Sequence, residues 1–274
     1  MAVPVRLTLV GHAGIAALTD LLLPRTCAGC GVPGAVLCVR CAAELTRPRT
    51  ASPRRCPWGF PPTAAAGAYA GPVRPAVIEF KERGRAELAV PLGAALALAV
   101  AAVVSAVPGP ATRPVALVPV PSSRAGLRAR GRDHVRELTA RAIAELRAAG
   151  VPAAEARLLR RRGRVRDSAG LSAAQRRANL AGTFQQVPAR LPPEALLVLV
   201  DDVVTTGATL TEAAAALAHG GSLRSAPVLA AVVAATPRTV PQKSPASPPG
   251  RCPEPVRERP SSSSDRLSGP VNRD

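Results

Sequence analysis

Residues 196–211 read LLVLVDDVVTTGATLT. An apolar run over 196–200 ends in two adjacent carboxylates, Asp201 and Asp202. A hydroxyl-rich turn follows, Thr205, Thr206, Gly207, Ala208 and Thr209, and it opens an alanine-rich helical stretch. The apolar run reads as a buried parallel strand, and open α/β sheets bind ligands beyond the carboxyl ends of such strands. The turn and helix start offer backbone N–H groups and a positive dipole end to a phosphate. The acid pair can accept hydrogen bonds from a vicinal ribose diol or help to hold Mg²⁺. A plainer reading stands beside this one, because acids often close buried strands and Thr is a good helix N-cap. The combination of strand, acid pair, spacer and Thr-Thr-Gly-x-Thr favours a phosphorylated ribose. No Gly-Lys-Ser/Thr follows, so this is not the Walker phosphate loop.

Outward from this stretch, helical and strand patterns alternate over residues 67–236. Residues 115–120 form a short apolar strand that ends in Pro119 and Pro121. Val135, Leu138, Ala142 and Leu146 then recur at helical spacing. Leu158 and Leu159 suggest another strand, and the helix from about Thr209 stops at Gly220 and Gly221. Residues 227–234, PVLAAVVA, make the next buried strand. Such alternation implies a parallel sheet with right-handed crossovers. Residues 88–107 carry no charge and are long enough to cross a bilayer. Their apolar character is mostly Ala, with Pro91 and Gly93 near the start, so they read as a buried helix and no membrane span is expected. Residues 1–24 read as a short amphipathic leader helix without a clear cleavage site, and a cytoplasmic location is expected. Residues 237–274, rich in Pro, Ser and Arg, bury too little apolar surface to offset their ordering entropy and are expected to be disordered.

Only 2% of the chain is aromatic, so the core must be built from Leu, Val and Ala. The net charge is +18, carried mostly by scattered Arg. That favours polyanions, either nucleic acid or phosphate-rich small molecules, although a biased composition can raise charge without making a binding face. With Trp58 the one obvious stacking candidate, sequence-tolerant stacking on single strands is not expected. The histidines are His12, His134 and His219. His219 ends a helix. For His134 an approach to the site stays open, but it is expected to face solvent beside Asp133. No catalytic base, and hence no acceptor substrate, is read from the sequence.

Five of the six cysteines fall in residues 25–60. Cys27-Ala-Gly-Cys30 and Cys38-Val-Arg-Cys41 are two CxxC pairs seven residues apart. Two such knuckles can close a tetrahedral Zn²⁺ site. Disulfides or a redox dithiol are the alternatives. The first is disfavoured without a secretory signal, and the second by the Gly- and Pro-rich setting. Cys56 reads as a lone buried apolar residue, and Cys252, in the tail, as having no structural role.

The 196–211 stretch resembles the phosphoribosyl pyrophosphate (PRPP) motif of type I phosphoribosyltransferases. In that family the acids, here Asp201 and Asp202, contact the ribose hydroxyls. The loop, here Thr205, Thr206, Gly207, Ala208 and Thr209, wraps the 5′-phosphate. A four-cysteine module joined to such a domain resembles the ComF (ComFC-like) family of double zinc ribbon and phosphoribosyltransferase proteins. Further stretches are similar: Ala68-Tyr69-Ala70-Gly71-Pro72-Val73-Arg74, Phe80-Lys81-Glu82-Arg83-Gly84-Arg85, Val118-Pro119-Val120-Pro121 with the Arg130-Gly131 turn, and the Leu171-Ser172…Asn179-Leu180 segment. Asp133 and His134 stand where the family carries Asn and Gln. The resemblance implies a type I phosphoribosyltransferase-like parallel sheet flanked by helices over 67–236, with a small zinc-ribbon-like module over 25–60. It implies PRPP with Mg²⁺ as ligand, structural zinc on Cys27, Cys30, Cys38 and Cys41, and pyrophosphate near Ser122, Ser123 and Arg124. Lys81 is expected near the site, and residues 160–177 as a guanidinium-rich hood over the leaving group. The family also implies a role in DNA uptake during competence, beside a helicase-like partner. Three functions stay open: a PRPP-dependent transferase, a ligand-binding regulatory partner in DNA handling, and a zinc-stabilised nucleic-acid-binding protein.

Overall fold

The structure is a computed structural model that describes residues 25–110, 112–162, 182–192, 194–219 and 227–237. The leader over 1–24, the tail from 238 onward, residues 163–177 of the expected hood, the 170–180 segment, Gly220 and Gly221 lie outside the described residues.

A six-stranded sheet forms the centre. Its strands are β1 (Arg49–Thr50), β2 (Thr63–Ala68), β3 (Val115–Pro119), β4 (Ala153–Glu155), β7 (Leu196–Val204) and β8 (Val228–Ala235). Their order is β1-β2-β8-β7-β3-β4, and every pairing is parallel except that of β1 with β2. A separate antiparallel ribbon joins β5 (Leu159–Arg161) to β6 (Phe184–Gln186). The helices are α1 (Val39–Ala43), α2 (Val73–Lys81), α3 (Ala89–Ser105), α4 (Arg124–Arg130), α5 (His134–Ala148) and α6 (Ala208–His219).

The central strands are continuous apolar runs because both of their faces are covered. Side chains alternate across the sheet. Val198 and Val200 of β7 point into the layer under α2, α3 and α5. Leu197 and Leu199 point into the opposite layer, with α6 and the β5–β6 ribbon. The paucity of aromatics is met by close approach: Ala65, Ala66, Ala230 and Ala231 are all fully buried. The motif strand is longer than the apolar run suggested. It continues through both acids to Val204, because Asp201, Val203 and Val204 still pair with Val232, Ala234 and Ala235 of β8.

The apolar 88–107 stretch becomes α3, whose Leu92, Leu96, Ala99 and Val100 are fully buried. By length and composition Ala86–Ser105 could cross a membrane, yet 56% of its apolar window is buried inside the protein. It packs against α5 at Gly93, where an added Cβ would sit 2.3 Å from Arg141 Cβ. Helix α5 shows the expected buried stripe of Val135, Leu138, Ala142 and Leu146.

The cysteine segment docks on the sheet edge. Ala28 and Leu45 join the same hydrophobic cluster as the α3 layer. Gly67 of β2 lies directly under Glu44, and a Cβ there would come within 2.6 Å of the Glu44 carbonyl oxygen. From β1 the Pro-rich stretch 51–62 returns to β2. The Ala51 amide donates to Thr63 and the Ala230 amide to Pro62.

Candidate functional site

The site forms where β7 ends. Residues Thr205 to Gly207 turn the chain from β7 into α6, and the loop after β3 lies beside it across the β3–β7 pairing. Gly207 makes the turn with φ of 76°, a left-handed conformation that other residues reach only with strain. It is also covered: an added Cβ would meet Pro53 Cγ at 2.7 Å and the Phe60 ring at 2.8 Å. The 51–62 stretch thus buttresses the turn. Thr206 Oγ1 accepts the Ala208 amide at 3.4 Å, an ordinary turn closure at the start of α6. Thr205 is exposed, Thr206 and Thr209 are half-buried, and Gly207 and Ala208 are buried.

The two acids have different surroundings. Asp201 is half-buried. Its Oδ1 accepts the Asp202 amide at 2.9 Å. Asp202 is only 3% exposed. Its Oδ2 meets Lys81 Nζ at 2.8 Å and His134 Nε2 at 3.0 Å, and its Oδ1 accepts the Val203 amide at 2.7 Å. Burial alone would push the Asp202 carboxyl up, but the His134 hydrogen bond and the Lys81 charge hold it well below the usual range. Asp201 moves the other way, raised to about 8 by burial and by the neighbouring Asp202 charge. Two adjacent carboxylates cannot both ionise freely, and the one with cationic and donor partners takes the charge. Burial would lower Lys81, but the charges of Asp202 and then Asp201 outweigh it, so its ammonium is held more firmly than usual.

Lys81, the last residue of α2, is therefore brought to the acids. His134 corrects the sequence expectation. It was expected to face solvent, yet it is 3% exposed, against Asp202 and edge-on to Phe80 at 6.3 Å. The helix period pointed there: four-residue steps back from Ala142 through Leu138 land on position 134. Asp133, just before it, caps α5 by accepting the Arg136 amide and also accepts the Ser122 hydroxyl at 3.4 Å. The β3 loop is thereby tied to the element that carries His134. Ser123 caps α4 through the Gly126 amide. Arg124 is exposed in the first turn of α4, with no ion pair to the acids among the described residues. Of the expected hood, Arg160 bonds Gln185, and Arg161 lies over the Phe184 ring at 5.1 Å within electrostatic reach of Asp201.

The four paired cysteines converge as well. The Sγ atoms of Cys27, Cys30, Cys38 and Cys41 all lie within 4.8 Å of one another, and Cys30 and Cys38 are 3.7 Å apart. A tetrahedral zinc with Zn–S bonds of about 2.3 Å separates its sulfurs by about 3.8 Å, so the set fits such an ion. The amides of Cys38 and Gly29 donate to Cys27 Sγ at 3.3 and 3.4 Å. Burial would raise the Cys27 thiol, but these amides and that of Cys30 bring it down to about 6, which favours a thiolate ligand. Gly29 is needed in the knuckle, since a Cβ there would sit 2.9 Å from Cys41 Sγ. The four cysteines can hold a structural zinc ion. Cys56 stands outside this cluster and corrects the expectation of a lone cysteine: it is half-buried and disulfide-bonded.

No protein-family model matches the chain, and no curated protein matches it significantly.

Proposed function

We propose that this chain binds PRPP, with Mg²⁺, in a type I phosphoribosyltransferase-like pocket, as a zinc-stabilised ComF-like protein acting in DNA handling in the cytoplasm. The observation that carries the reading is the end of β7, where the acid pair, Lys81 and the Thr205–Gly207 turn meet at the carboxyl edge of a parallel sheet. Amides of the turn and of the first turn of α6 would hold the 5′-phosphate, aided by Thr205, Thr206 and Thr209. The half-buried Asp201 would accept from the ribose hydroxyls. Ser122 and Arg124 would lie toward the pyrophosphate. Transfer would break the bond from C1 to the pyrophosphate oxygen as a nucleophile bonds C1. An Asp201 oxygen would hold Mg²⁺ in part, and the ion would supply charge neutralisation for the departing pyrophosphate. The net charge of +18 suits polyanionic ligands and, with the family resemblance, DNA and a helicase-like competence partner.

A second reading, a binding or regulatory protein that performs no transfer, draws on one observation. His134, the histidine beside the acids, is engaged by Asp202 and is not placed as a general base for an acceptor.

Calorimetric titration of PRPP with Mg²⁺ tests both. Wild type should bind, and an Asp201→Asn/Asp202→Asn double variant should lose at least tenfold. Wild type that fails to bind sinks the pocket. Binding with no pyrophosphate release across a panel of bases and amines selects the regulatory reading. For DNA, gel shifts should weaken steeply as salt rises from 50 to 200 mM, as phosphate contacts require; a salt-insensitive or absent shift removes the DNA partner.

A further inference from the structure

The two acids of the motif are adjacent in sequence, and a shared role in holding the ribose diol would follow if both faced the ligand. The structure places them differently. Consecutive residues of a strand point to opposite faces. Asp202 lies on the face shared by α2 and α5, 3% exposed, with both oxygens occupied by Lys81, His134 and the Val203 amide. Asp201 lies on the other face, half-buried, with its Oδ1 accepting the Asp202 amide. A diol arriving at the carboxyl edge would therefore meet Asp201. To reach Asp202 it would have to displace a buried lysine–carboxylate contact.

His134 decides how firmly Asp202 stays in place. Its ring is buried, and its Nδ1 has no hydrogen-bond partner. Because the Asp202 carboxylate can only accept, Nε2 carries a proton and donates to Asp202 Oδ2. Lys81 supplies a charge and His134 a direction. The surrounding groups agree. Phe80 of α2 packs on the ring, Arg132 lies over Phe80 with its guanidinium 4.4 Å from that centroid, and it pairs with Glu137 and not with Asp202. Asp133 is directed to Ser122 and the Arg136 amide.

We propose that His134 is a positioning residue: with Lys81 it locks Asp202 as a buried anchor and leaves Asp201 as the acid that selects a ligand with a ribose cis-diol. This rests on the phosphoribose reading above. Because the Asp202 and Val203 amides bond to the two carboxylates, fixing Asp202 also fixes the strand end on which Asp201 sits. Without the lock, Asp201 and the turn after it would present the same groups less accurately, and positional error at such a site is costly.

Two measurements test it, and they fail separately. The first needs no ligand. Long-range ¹H–¹⁵N correlation spectra of histidine-labelled protein should show one ring protonated at Nε2, and that signal should disappear in His134→Gln and shift in Asp202→Asn. A ring protonated at Nδ1 alone, or insensitive to Asp202→Asn, overturns the lock. The second titrates ribose 5-phosphate and 2-deoxyribose 5-phosphate. Wild type should prefer the ribose form by about tenfold or more. Asp201→Asn should erase that preference. His134→Ala should weaken ribose 5-phosphate by about tenfold. His134→Gln, which keeps an N–H donor, should recover to within about threefold of wild type. A His134→Ala protein that binds as wild type does, or a His134→Gln protein no better than His134→Ala, overturns the positioning role. Equal binding of both sugars by wild type overturns the diol-selecting role of Asp201. If wild type binds neither sugar phosphate, the phosphoribose reading itself falls and takes the role of Asp201 with it, while the spectra still judge the lock.

Discussion

An aspartate in an unfolded chain titrates near pH 4. Asp201, raised to about 8, keeps in the fold a proton that the unfolded chain has already shed over most of that interval. The native state binds more protons there, so the Asp201 contribution to stability declines as pH rises between about 4 and 8. Asp202 is shifted downward, so its contribution is fully present above about pH 4 and is lost as pH falls below that. The decline in the neutral range therefore belongs to Asp201, and a neutral isostere should relieve it. Asp201→Asn should leave stability within about 0.5 kcal/mol of wild type at pH 5. At pH 8.5 it should raise stability by about 1 kcal/mol, a modest figure because Asp201 is only half-buried and partly screened. Urea unfolding at the two pH values measures this. Equal destabilisation at both would mean that the carboxylate is not strained by the fold. A variant that gains stability while losing the ligand is the mark of a residue held in an unfavourable state for binding.

Helices α2 and α5 bring Lys81 and His134 to the site from one side of the sheet, and Gly93 sets how closely α3 packs on α5. Replacing a helix-interior Gly by Ala ordinarily stabilises by about 1 kcal/mol. Here the new methyl would sit 2.3 Å from Arg141 Cβ, which is anchored to the backbone and cannot swing away. Overpacking of this kind costs about 1–3 kcal/mol, so it outweighs the propensity gain. Gly93→Ala should lower stability by about 1–2 kcal/mol in urea titration and, by shifting α5 and hence His134, weaken ribose 5-phosphate severalfold. A more stable variant would show that the helices adjust freely. Elements of this kind were the legible part of the sequence. The apolar runs of β3, β7 and β8 and the stripe of α5 follow from periodicity, because burial on one or both faces imprints it. Lys81 was legible only as a neighbour of the site. His134 was not placed, because a polar residue at the start of a helix reads as solvated unless its partner, 68 residues away, is known. The extension of β7 through Asp201 and Asp202 was also hidden, since it depends on pairing with β8 and not on apolarity.

At the scale of the whole molecule, the cysteine segment and the phosphate turn are joined by one path. Leu45 and Ala28 fasten the segment to the sheet, and Glu44 sits on Gly67 of β2. From β1, beside β2, the 51–62 stretch carries Pro53 and Phe60 onto Gly207. Regular structure within the segment is slight: α1 has five residues, and Thr26–Pro33 is an isolated strand bridge. A helix that short is not stable alone, so a zinc ion on the four cysteines would supply much of the local order. Removing it should release the segment, expose Leu45 and β2, and loosen the cover on Gly207. Metal analysis should find about one zinc per chain, lost in Cys27→Ser. Chelation should lower the melting temperature by on the order of 10 °C, as a few kcal/mol would in a domain of this size. Ribose 5-phosphate affinity should fall with it, although no cysteine touches the site, and both should return when zinc is restored. A chain that loses its zinc yet keeps its melting temperature would make the metal dispensable for the fold. One that loses stability but binds the sugar phosphate unchanged below its melting point would break the path from Leu45 through Phe60 to Gly207.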